Sequence, residues 1–217
     1  GEKCADPHSN LYLISCVRYI VFFAYSRRQR SMDFQWNGEY HQKFITNVGL
    51  ISSNGKHGPN MMAAEWTYLT SYSPAMILIS VGPTKATAEN INETKKFGVS
   101  LAAEDQGWIC SIAGGHTGKS TDKIAALSEL GVTFTEGKHT GMKLVNGAAL
   151  HAECEVVEVV HQGDHTLYIG KVIDAQTFDA KPIALHGRKY WMMTTHAPHT
   201  NAEEREKRSA IVEKHKK

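Results

Sequence analysis

The stretch ALHAECEVVEVVHQGDHTLYIGKVIDAQTF, residues 149–178, decides the fold class. It holds two long runs of β-branched and alternating apolar residues, separated by the turn residues Gly163 and Asp164. Alternation places every second side chain on one face of a strand, and Gly-Asp between two such runs favours a tight reversal. The stretch therefore predicts a long antiparallel hairpin.

Shorter strands are predicted on the N-terminal side of this hairpin. FITNVGLISS (44–53) is rich in β-branched residues and runs into SNGKHGPN, a cluster typical of a hairpin loop. MMAAEWTYLTSY (61–72) follows, and AMILISVG (75–82) is a continuous apolar run typical of a strand buried on both faces. FGVSLAAE (97–104) is a further strand. Six or more strands without regular intervening helices predict a mainly β fold, a closed or partly closed antiparallel barrel with a few short helices.

Two helices and a charged tail are predicted between and after the strands. TKATAENINETKK (84–96) carries good helix formers, with Thr84 or Thr87 placed to cap its first turn. STDKIAALSEL (120–130) has apolar residues at helical spacing and stops at a glycine. NAEEREKRSAIVEKHKK (201–217) is strongly charged, which predicts a solvated helix or a frayed tail.

The charge distribution argues against a nucleic-acid partner. The 217 residues include 41% apolar and 21% charged side chains, with a formal net charge of +2. Positions 1–31 carry five Lys/Arg against two Asp/Glu, and positions 203–217 carry six against four. Positions 32–202 carry thirteen against sixteen, so the middle of the chain is mildly acidic. A basic footprint for duplex DNA is therefore not expected there.

The N-terminal residues are expected to be an appendage. LYLISCVRYIVFFAY (11–25) contains Arg18 and is shorter than the roughly 20 apolar residues of a membrane span. It also lacks the basic start and the small-residue cleavage site of a secretory signal. We expect no membrane span. We expect residues 1–31 to lie outside the functional core, 32–195 to form one domain and 196–217 to form a charged tail.

Neither the cysteines nor the histidines predict a metal site. The four cysteines are far apart and form no CxxC pair, which indicates reduced thiols and a cytoplasmic protein. Among the twelve histidines, His161 and His165 flank a turn, and His196 and His199 flank Ala-Pro. Neither pair has a third ligand at a recognisable spacing, so we expect structural or surface roles.

AGGHTGKST (113–121) is similar to the second half of a phosphate-binding P-loop. A P-loop needs a glycine five residues before Gly118, and that position is Ala113. Nucleotide hydrolysis is therefore only a weak alternative. The narrower prediction is an anion site formed by exposed N–H groups and two ammonium groups at the start of a helix. Its residues would be Gly118, Lys119, Ser120 and Lys123.

SVGPTKATAEN (80–90) predicts a second anion site, where a buried strand leads into a helix N terminus. Thr84, Lys85 and Thr87 supply hydroxyl and ammonium groups, with Asn90 one turn further on. Helix capping alone is the alternative interpretation. Two such sites in one small barrel favour a phosphorylated ligand. Because the sequence has no GxSxG, no HExxH and no evident Cys/His pair, we expect a cofactor, and no catalytic side chain, to supply the chemistry.

The order of these pieces resembles the flavin reductase-like domain, an FMN-binding split-barrel family that includes flavoredoxins and archaeal ferric reductases. The segment from NVGLISSNGKHGPN to ETKKFGVSL resembles the first half of that domain. TGKSTDKI is similar to the family's SGRxxDKF segment, and the long hairpin, with GDHTLYIG, to its GDHxxxxG hairpin. ALHGRKYW is similar to its closing strand. The resemblance covers roughly positions 36–191.

This resemblance implies a split β-barrel with bound FMN, and a homodimer with FMN near the interface. It places the isoalloxazine ring and ribityl chain along one strand edge and the phosphate beside the anion sites. Lys119 and Lys123 would close over the cofactor, and His165 would approach the ring. The implied cofactor-binding residues are Asn60, Met61, Met62, Ala63, Trp66, Ser80, Val81, Gly82, Thr84, Lys85, Thr87, Asn90, Lys119, Lys123 and His165.

The implied function is that of an FMN-binding oxidoreductase. It would pass electrons from NAD(P)H or a redox partner through the flavin to free flavin, a ferric complex or a small redox protein. The first alternative is an FMN carrier or electron-transfer protein without direct NAD(P)H activity, because no stretch of the sequence predicts a nicotinamide site. The P-loop-like nucleotide hydrolase is the second alternative.

Overall fold

The computed structural model describes residues 32–195 and 201–215. The appendage predicted at residues 1–31 lies outside the described residues. Within them, strands predominate. The strands are β1 (Thr46–Asn47), β2 (Gly49–Ser53), β3 (Asn60–Ala64), β4 (Thr67–Tyr72), β5 (Ala75–Val81), β6 (Lys96–Leu101), β7 (Phe134–Glu136), β8 (Lys143–Val145), β9 (Leu150–Gln162), β10 (His165–Thr177), β11 (Ala184–His186) and β12 (Lys189–Trp191).

Seven of these strands form one antiparallel sheet, in the order β3-β2-β6-β9-β10-β5-β4. The hairpin predicted at residues 149–178 is confirmed as β9 and β10, and Gly163 in its turn has a φ of 59°, which favours glycine. The pairing register shifts after Ile169 and again after Val172. Such irregularities bend a strand pair and increase its twist, which lets the sheet curve into a split antiparallel barrel.

The closing segment differs from the sequence expectation. The resemblance implies one closing strand at ALHGRKYW, whereas the structure folds it into a hairpin of β11 and β12, with Gly187 and Arg188 as a two-residue loop. Since β11 also pairs with β1, these strands form a separate three-stranded sheet. β7 and β8 form a two-stranded sheet that the sequence did not predict.

Three helices pack around the barrel: α1 (Ala86–Thr94), α2 (Gly107–Gly115) and α3 (Lys123–Glu129). A fourth helix, α4 (Ala202–Glu213), has no buried residue. The residue that precedes α1 is Lys85, so neither Thr84 nor Thr87 caps this helix as predicted. α3 begins three residues later than predicted, because the Asp122 side chain caps it by accepting a hydrogen bond from the Ala125 N–H at 2.9 Å.

Of the remaining two helices, the sequence predicted α4 but not α2. α2 was not predicted, because its sequence GWICSIAGG is apolar around the whole helix and contains three glycines. The tail was predicted as a solvated helix or a frayed end, and α4 within it is a helix with no buried residue.

β2 separates two hydrophobic cores. Leu50 and Ile51 are adjacent in the chain, so their side chains point to opposite faces of the sheet. Ile51 joins the core inside the barrel with Phe97, whereas Leu50 joins the core that α2 and α3 cover. A side chain at Gly170 would overlap the Phe97 ring, so this position in β10 requires glycine. The cores fix the edge strand β3 against α2, where the groove described next is formed.

Candidate functional site

A groove follows the edge strand β3 between the end of β5 and the C-terminal end of α2. It consists of two clefts that share Met62, Ala63, Lys85 and Gly114. The wide cleft has a volume of about 500 Å³ and is also lined by Trp36, Val48, Ala64, Glu65, Trp66, Ser80, Val81, Gly82, Cys110, Ser111, His165, Leu185, Arg188 and Tyr190. The basic cleft has a volume of about 390 Å³ and is also lined by Asn60, Ala86, Thr87, Gly115, His116, Thr117, Gly118 and Lys123. Both volumes fall in the range of small-molecule sites.

The wide cleft has an aromatic wall. The rings of Trp66 and His165 lie 4.6 Å apart between centroids, at an interplanar angle of 57°. Pairing of Thr166 with Val81 brings the turn of the long hairpin beside the end of β5, which positions His165. The His165 ring lies 2.7 Å from the Asp164 carboxylate, and this hydrogen bond lowers the pKa of Asp164. Each of the two rings has a flat face against which a planar ring can pack.

Lys123 is a buried cation in the basic cleft. The residue is 2% exposed, and its Nζ donates hydrogen bonds to the main-chain oxygens of Ala113, at 3.0 Å, and His116, at 3.1 Å. Burial, and then the charge of Lys85, lower the pKa of Lys123 to about 8. No carboxylate of the described residues forms an ion pair with it. Since a buried ammonium without a counterion is costly, this cleft favours an anionic group.

Asn60 and Thr87 join β3 to α1 on another side of the basic cleft. Both residues are buried, and the Asn60 Nδ2 donates to the Thr87 hydroxyl at 2.9 Å. The Asn60 Oδ1 is buried and has no hydrogen-bond partner among the described residues. Gly118 passes so close that a side chain there would overlap this amide. Because a hydroxyl both donates and accepts, a polyol chain could satisfy the unpaired atom.

Glu89 connects three segments outside the basic cleft. Its carboxylate binds Lys119 at 2.5 Å, Lys56 at 2.6 Å and His57 at 2.7 Å. These hydrogen bonds, with that of Lys119 the strongest, hold the pKa of Glu89 well below its usual range. The network therefore ties the β2–β3 loop and the α2–α3 loop to α1, and it engages the ammonium groups of Lys56 and Lys119.

The structure brings eleven of the fifteen implied cofactor residues to the groove. They are Asn60, Met62, Ala63, Trp66, Ser80, Val81, Gly82, Lys85, Thr87, Lys123 and His165. The other four lie elsewhere. Met61 is fully buried in the core, Thr84 is exposed outside both clefts, and Lys119 is bound to Glu89. Asn90 is buried, and its amide donates to the Gly58 main-chain oxygen at 2.9 Å.

The string AGGHTGKST does not form a P-loop. Ala113 is fully buried inside α2, so the string begins within a helix, where a P-loop would follow a strand. It then passes through a turn at residues 118–120 before α3, which has only seven residues. From the predicted anion site at this helix start, Gly118 and Lys123 line the basic cleft, whereas Lys119 and Ser120 do not.

Some lining residues could not be predicted as a group. Trp36 is far along the chain from Arg188 and Tyr190, and residues 114–118 comprise the unpredicted end of α2 and the chain that follows it. Gly114 and Gly115, just before His116, indicate a place where the backbone can approach another surface closely. Because α2 was not predicted, the sequence did not show which surface that is.

Other chemistries find little support in residues 32–195 and 201–215. No group of three or more His, Cys, Asp or Glu side chains in these ranges could hold a metal ion. Burial raises the pKa of the Cys110 thiol, which lines the wide cleft, to about 12, so this thiol stays protonated at neutral pH. The described helices include none with the length and hydropathy needed to cross a membrane.

Comparison with known proteins gives a consistent result. The model of the family described as "Flavin reductase like domain" matches residues 41–192. The chain is 27% identical over 139 residues to the NADH-dependent FAD reductase of Streptomyces globisporus, covering 64% of this chain and 73% of the relative. It is 26% identical over 147 residues to the NADH:riboflavin 5′-phosphate oxidoreductase of Streptomyces pristinaespiralis, covering 67% and 77%. The solved structure of flavin reductase PheA2 superposes with a TM-score of 0.63 at 27% identity, covering 76% of this chain and all of that one.

Proposed function

The chain belongs to the flavin reductase-like domain family of flavin-dependent oxidoreductases, and we propose that its flavin is FMN and its electron donor NAD(P)H. The acceptor would be free flavin, a ferric complex or a small redox protein. The single observation that carries the proposal is the junction of an aromatic cleft with a cleft whose buried cation, Lys123, has no counterion among the described residues.

The lining residues fit the parts of a flavin mononucleotide in order along the groove. Trp66 and His165 offer the flat surface for a planar ring. Asn60 lines the basic cleft, and its Oδ1, which has no hydrogen-bond partner among the described residues, suits the hydroxyls of a ribityl chain. Lys123 and Lys85, with the Thr87 hydroxyl, would hold a phosphate through charge-assisted hydrogen bonds.

The chain's own residues bind and orient the cofactor; when bound, a flavin accepts a hydride from a reduced nicotinamide. The main chain of residues 114–118 and the Lys123 ammonium would fix the phosphate end, so that the ring end is held in the wide cleft. His165, fixed by Asp164, would limit the position of the ring at that end. Positioning of two reactants in this way lowers the barrier without any acid or base from the protein.

FMN is favoured over FAD by the charges outside the basic cleft. Outside both clefts, the ammonium groups of Lys119 and Lys56 are bound to Glu89, as is the His57 ring. A second phosphate would approach the Glu89 carboxylate and would have to compete with it for these cations. The names of the relatives include both FAD and riboflavin 5′-phosphate, so this local argument supports the choice.

A homodimer and a cytoplasmic location are part of the proposal. Support for the dimer comes from the edge strand β4, which exposes Leu69 and Tyr72 at 55% and 89%. Exposed apolar side chains on a sheet edge are typical of surfaces that another chain covers. Support for the location comes from Cys110 and Cys154, which are unpaired and buried.

Two measurements test the proposal. Heat denaturation of the yellow purified protein should release FMN and not FAD, as identified by chromatography. Anaerobic mixing with NADH or NADPH should bleach the flavin absorption band. A colourless protein that does not take up FMN would refute the flavin assignment, whereas bound FMN that neither donor reduces would leave the carrier alternative in place of the reductase.

A further inference from the structure

We propose that Trp36 and Arg188 form a binding subsite for the adenosine-phosphate half of a nicotinamide dinucleotide, at the mouth of the wide cleft. The inference rests on the proposed function in one respect, that a reduced nicotinamide must enter this cleft. The subsite itself can be examined without turnover.

Arg188 occupies a turn position where Gly or Asn would adopt the backbone conformation with less strain. It is the second residue of the β11–β12 loop, with a φ of 64°, and Gly187 before it has a φ of 55°. Two positive φ values in a two-residue hairpin loop are the pattern of a type I′ turn, which favours Gly or Asn at both positions. We therefore infer that the side chain of Arg188 has a function that offsets the strain of its backbone.

The guanidinium of Arg188 has its donors available for a ligand. Its Cζ lies over the indole of Trp36, 5.6 Å from the ring centroid, which is a cation–π contact. Among the described residues, none forms an ion pair or a side-chain hydrogen bond with it. A cation–π contact leaves the N–H groups of the guanidinium available, and those groups match two phosphate oxygens.

Trp36 supplies the aromatic part of the subsite. Trp36 belongs to the segment that precedes β1, and it is 74% exposed. Trp36 and Arg188 also line an adjoining hollow of about 170 Å³, whose wall includes Phe44 at 58% exposed. Exposed aromatic faces of this kind bind planar bases by stacking, and neighbouring Arg side chains add to that attraction.

The position along the groove selects the adenosine half. The basic cleft is lined by residues of α1, by residues 114–118 and by Lys123, and the flavin phosphate would occupy it, so the donor would enter at the other end of the groove. Its nicotinamide would have to reach the inner wall formed by Trp66 and His165, beside the flavin ring. The anionic pyrophosphate and the adenine would then extend past Arg188 and Trp36 towards the adjoining hollow.

The test compares a donor and fragment that contain the adenosine half with a donor that lacks it. Steady-state rates are measured with NADH and with reduced nicotinamide mononucleotide, for the FMN-loaded wild type, Arg188→Gln and Trp36→Leu. Lys189→Gln, an exposed cation of the same hairpin outside both clefts, is the matched control. We expect KM for NADH to rise about tenfold in both subsite variants with kcat unchanged. KM for the mononucleotide, FMN affinity and the Lys189→Gln protein should match wild type.

Binding of ADP-ribose, measured by calorimetry on the full-length protein with and without FMN, separates this inference from the proposed function. We expect wild-type binding that weakens about tenfold in Arg188→Gln. Wild-type ADP-ribose binding that is unchanged in both variants, or is absent, overturns the subsite even if NADH is oxidised. Binding that depends on Arg188 in a protein that does not oxidise NADH would support the subsite and refute the reductase activity.

Discussion

The ammonium group of Lys123 donates a hydrogen bond to the main-chain oxygen of Ala113 at 3.0 Å, and thereby connects the start of α3 to the end of α2. A second bond, to the His116 main-chain oxygen, holds the chain as it leaves α2. Cations near a helix C terminus interact favourably with its unpaired carbonyl groups. Lys123 therefore shapes the basic cleft before any ligand enters.

FMN affinity should fall as the pH rises above about 8. The pKa of Lys123 is lowered to about 8 in the free protein, and a bound phosphate would stabilise the ammonium and raise that pKa again. Binding then takes up a proton in the interval above pH 8, with a limiting slope of about tenfold per pH unit. The phosphate ester, with a second pKa of about 6, does not titrate there. Calorimetric titrations between pH 7 and 10 measure the effect.

Riboflavin is the matched control for this pH dependence, because it lacks the phosphate. Its affinity should be flat over the same interval, and FMN affinity should become flat in Lys123→Met. An equal slope for riboflavin and FMN would show that another group titrates.

Thr87→Val should weaken FMN binding by about 1 to 3 kcal/mol, the usual range for a charge-assisted hydrogen bond. Thr87 is 1% exposed and lines the basic cleft, so its hydroxyl is in reach of a phosphate there. Thr84→Val is the control, since Thr84 is exposed outside both clefts and should keep wild-type affinity. Thr87→Ser, which retains the hydroxyl, should bind FMN nearly as well as wild type. Equal losses at both threonines would contradict the phosphate assignment.

Lys119→Ala should change FMN affinity by less than about 0.5 kcal/mol, the usual effect of a surface change away from a site. The resemblance implies that Lys119 closes over the cofactor, but its ammonium is bound to Glu89. Lys85→Ala should instead weaken binding by about 1 to 3 kcal/mol, because Lys85 lines both clefts. A large loss in Lys119→Ala would mean that Lys119 leaves Glu89 when FMN binds.

Gly118→Ala should lower both FMN affinity and the melting temperature. The added methyl group would overlap the Asn60 amide and crowd Ala86, so β3 and α1 would have to move apart. Overpacking of this kind costs about 1 to 3 kcal/mol. Gly115→Ala is the matched control for the melting temperature, because a methyl group there meets nothing within 4 Å. If both variants lower the melting temperature alike, close approach at Gly118 is not what the fold requires.

The sequence predicted the strands well because their signals are local. The long hairpin shows its period and its turn within 30 residues, and the resulting pairing of β9 with β10 was confirmed. α2 escaped prediction because its glycines and its all-round apolar surface make a poor isolated helix, and only burial against β3 supports it. Tertiary contact, and not local propensity, therefore decides that element.

Local sequence patterns located the site best where its residues follow one another along the chain. Ser80, Val81 and Gly82 lie at a strand end that the sequence located, and they line the wide cleft. Asn90 lies on the same helix as Thr87. Its side-chain amide, however, donates a hydrogen bond to the main-chain oxygen of Gly58, which is distant in the sequence. The pairing of Lys119 with Glu89 likewise joins residues thirty positions apart, so no local pattern revealed it.

The long hairpin also determines how deep the wide cleft is. The His165–Gln162 pair, next to the two-residue turn, lies one position beyond the Thr166–Val81 pair, the last pair that anchors β10 to β5. Two additional residues in each strand past that anchor would carry His165 about 7 Å further out, at roughly 3.3 Å per residue. A longer or shorter hairpin on the same barrel would thus make room for electron acceptors of different size. The residues proposed to hold the flavin phosphate would not change.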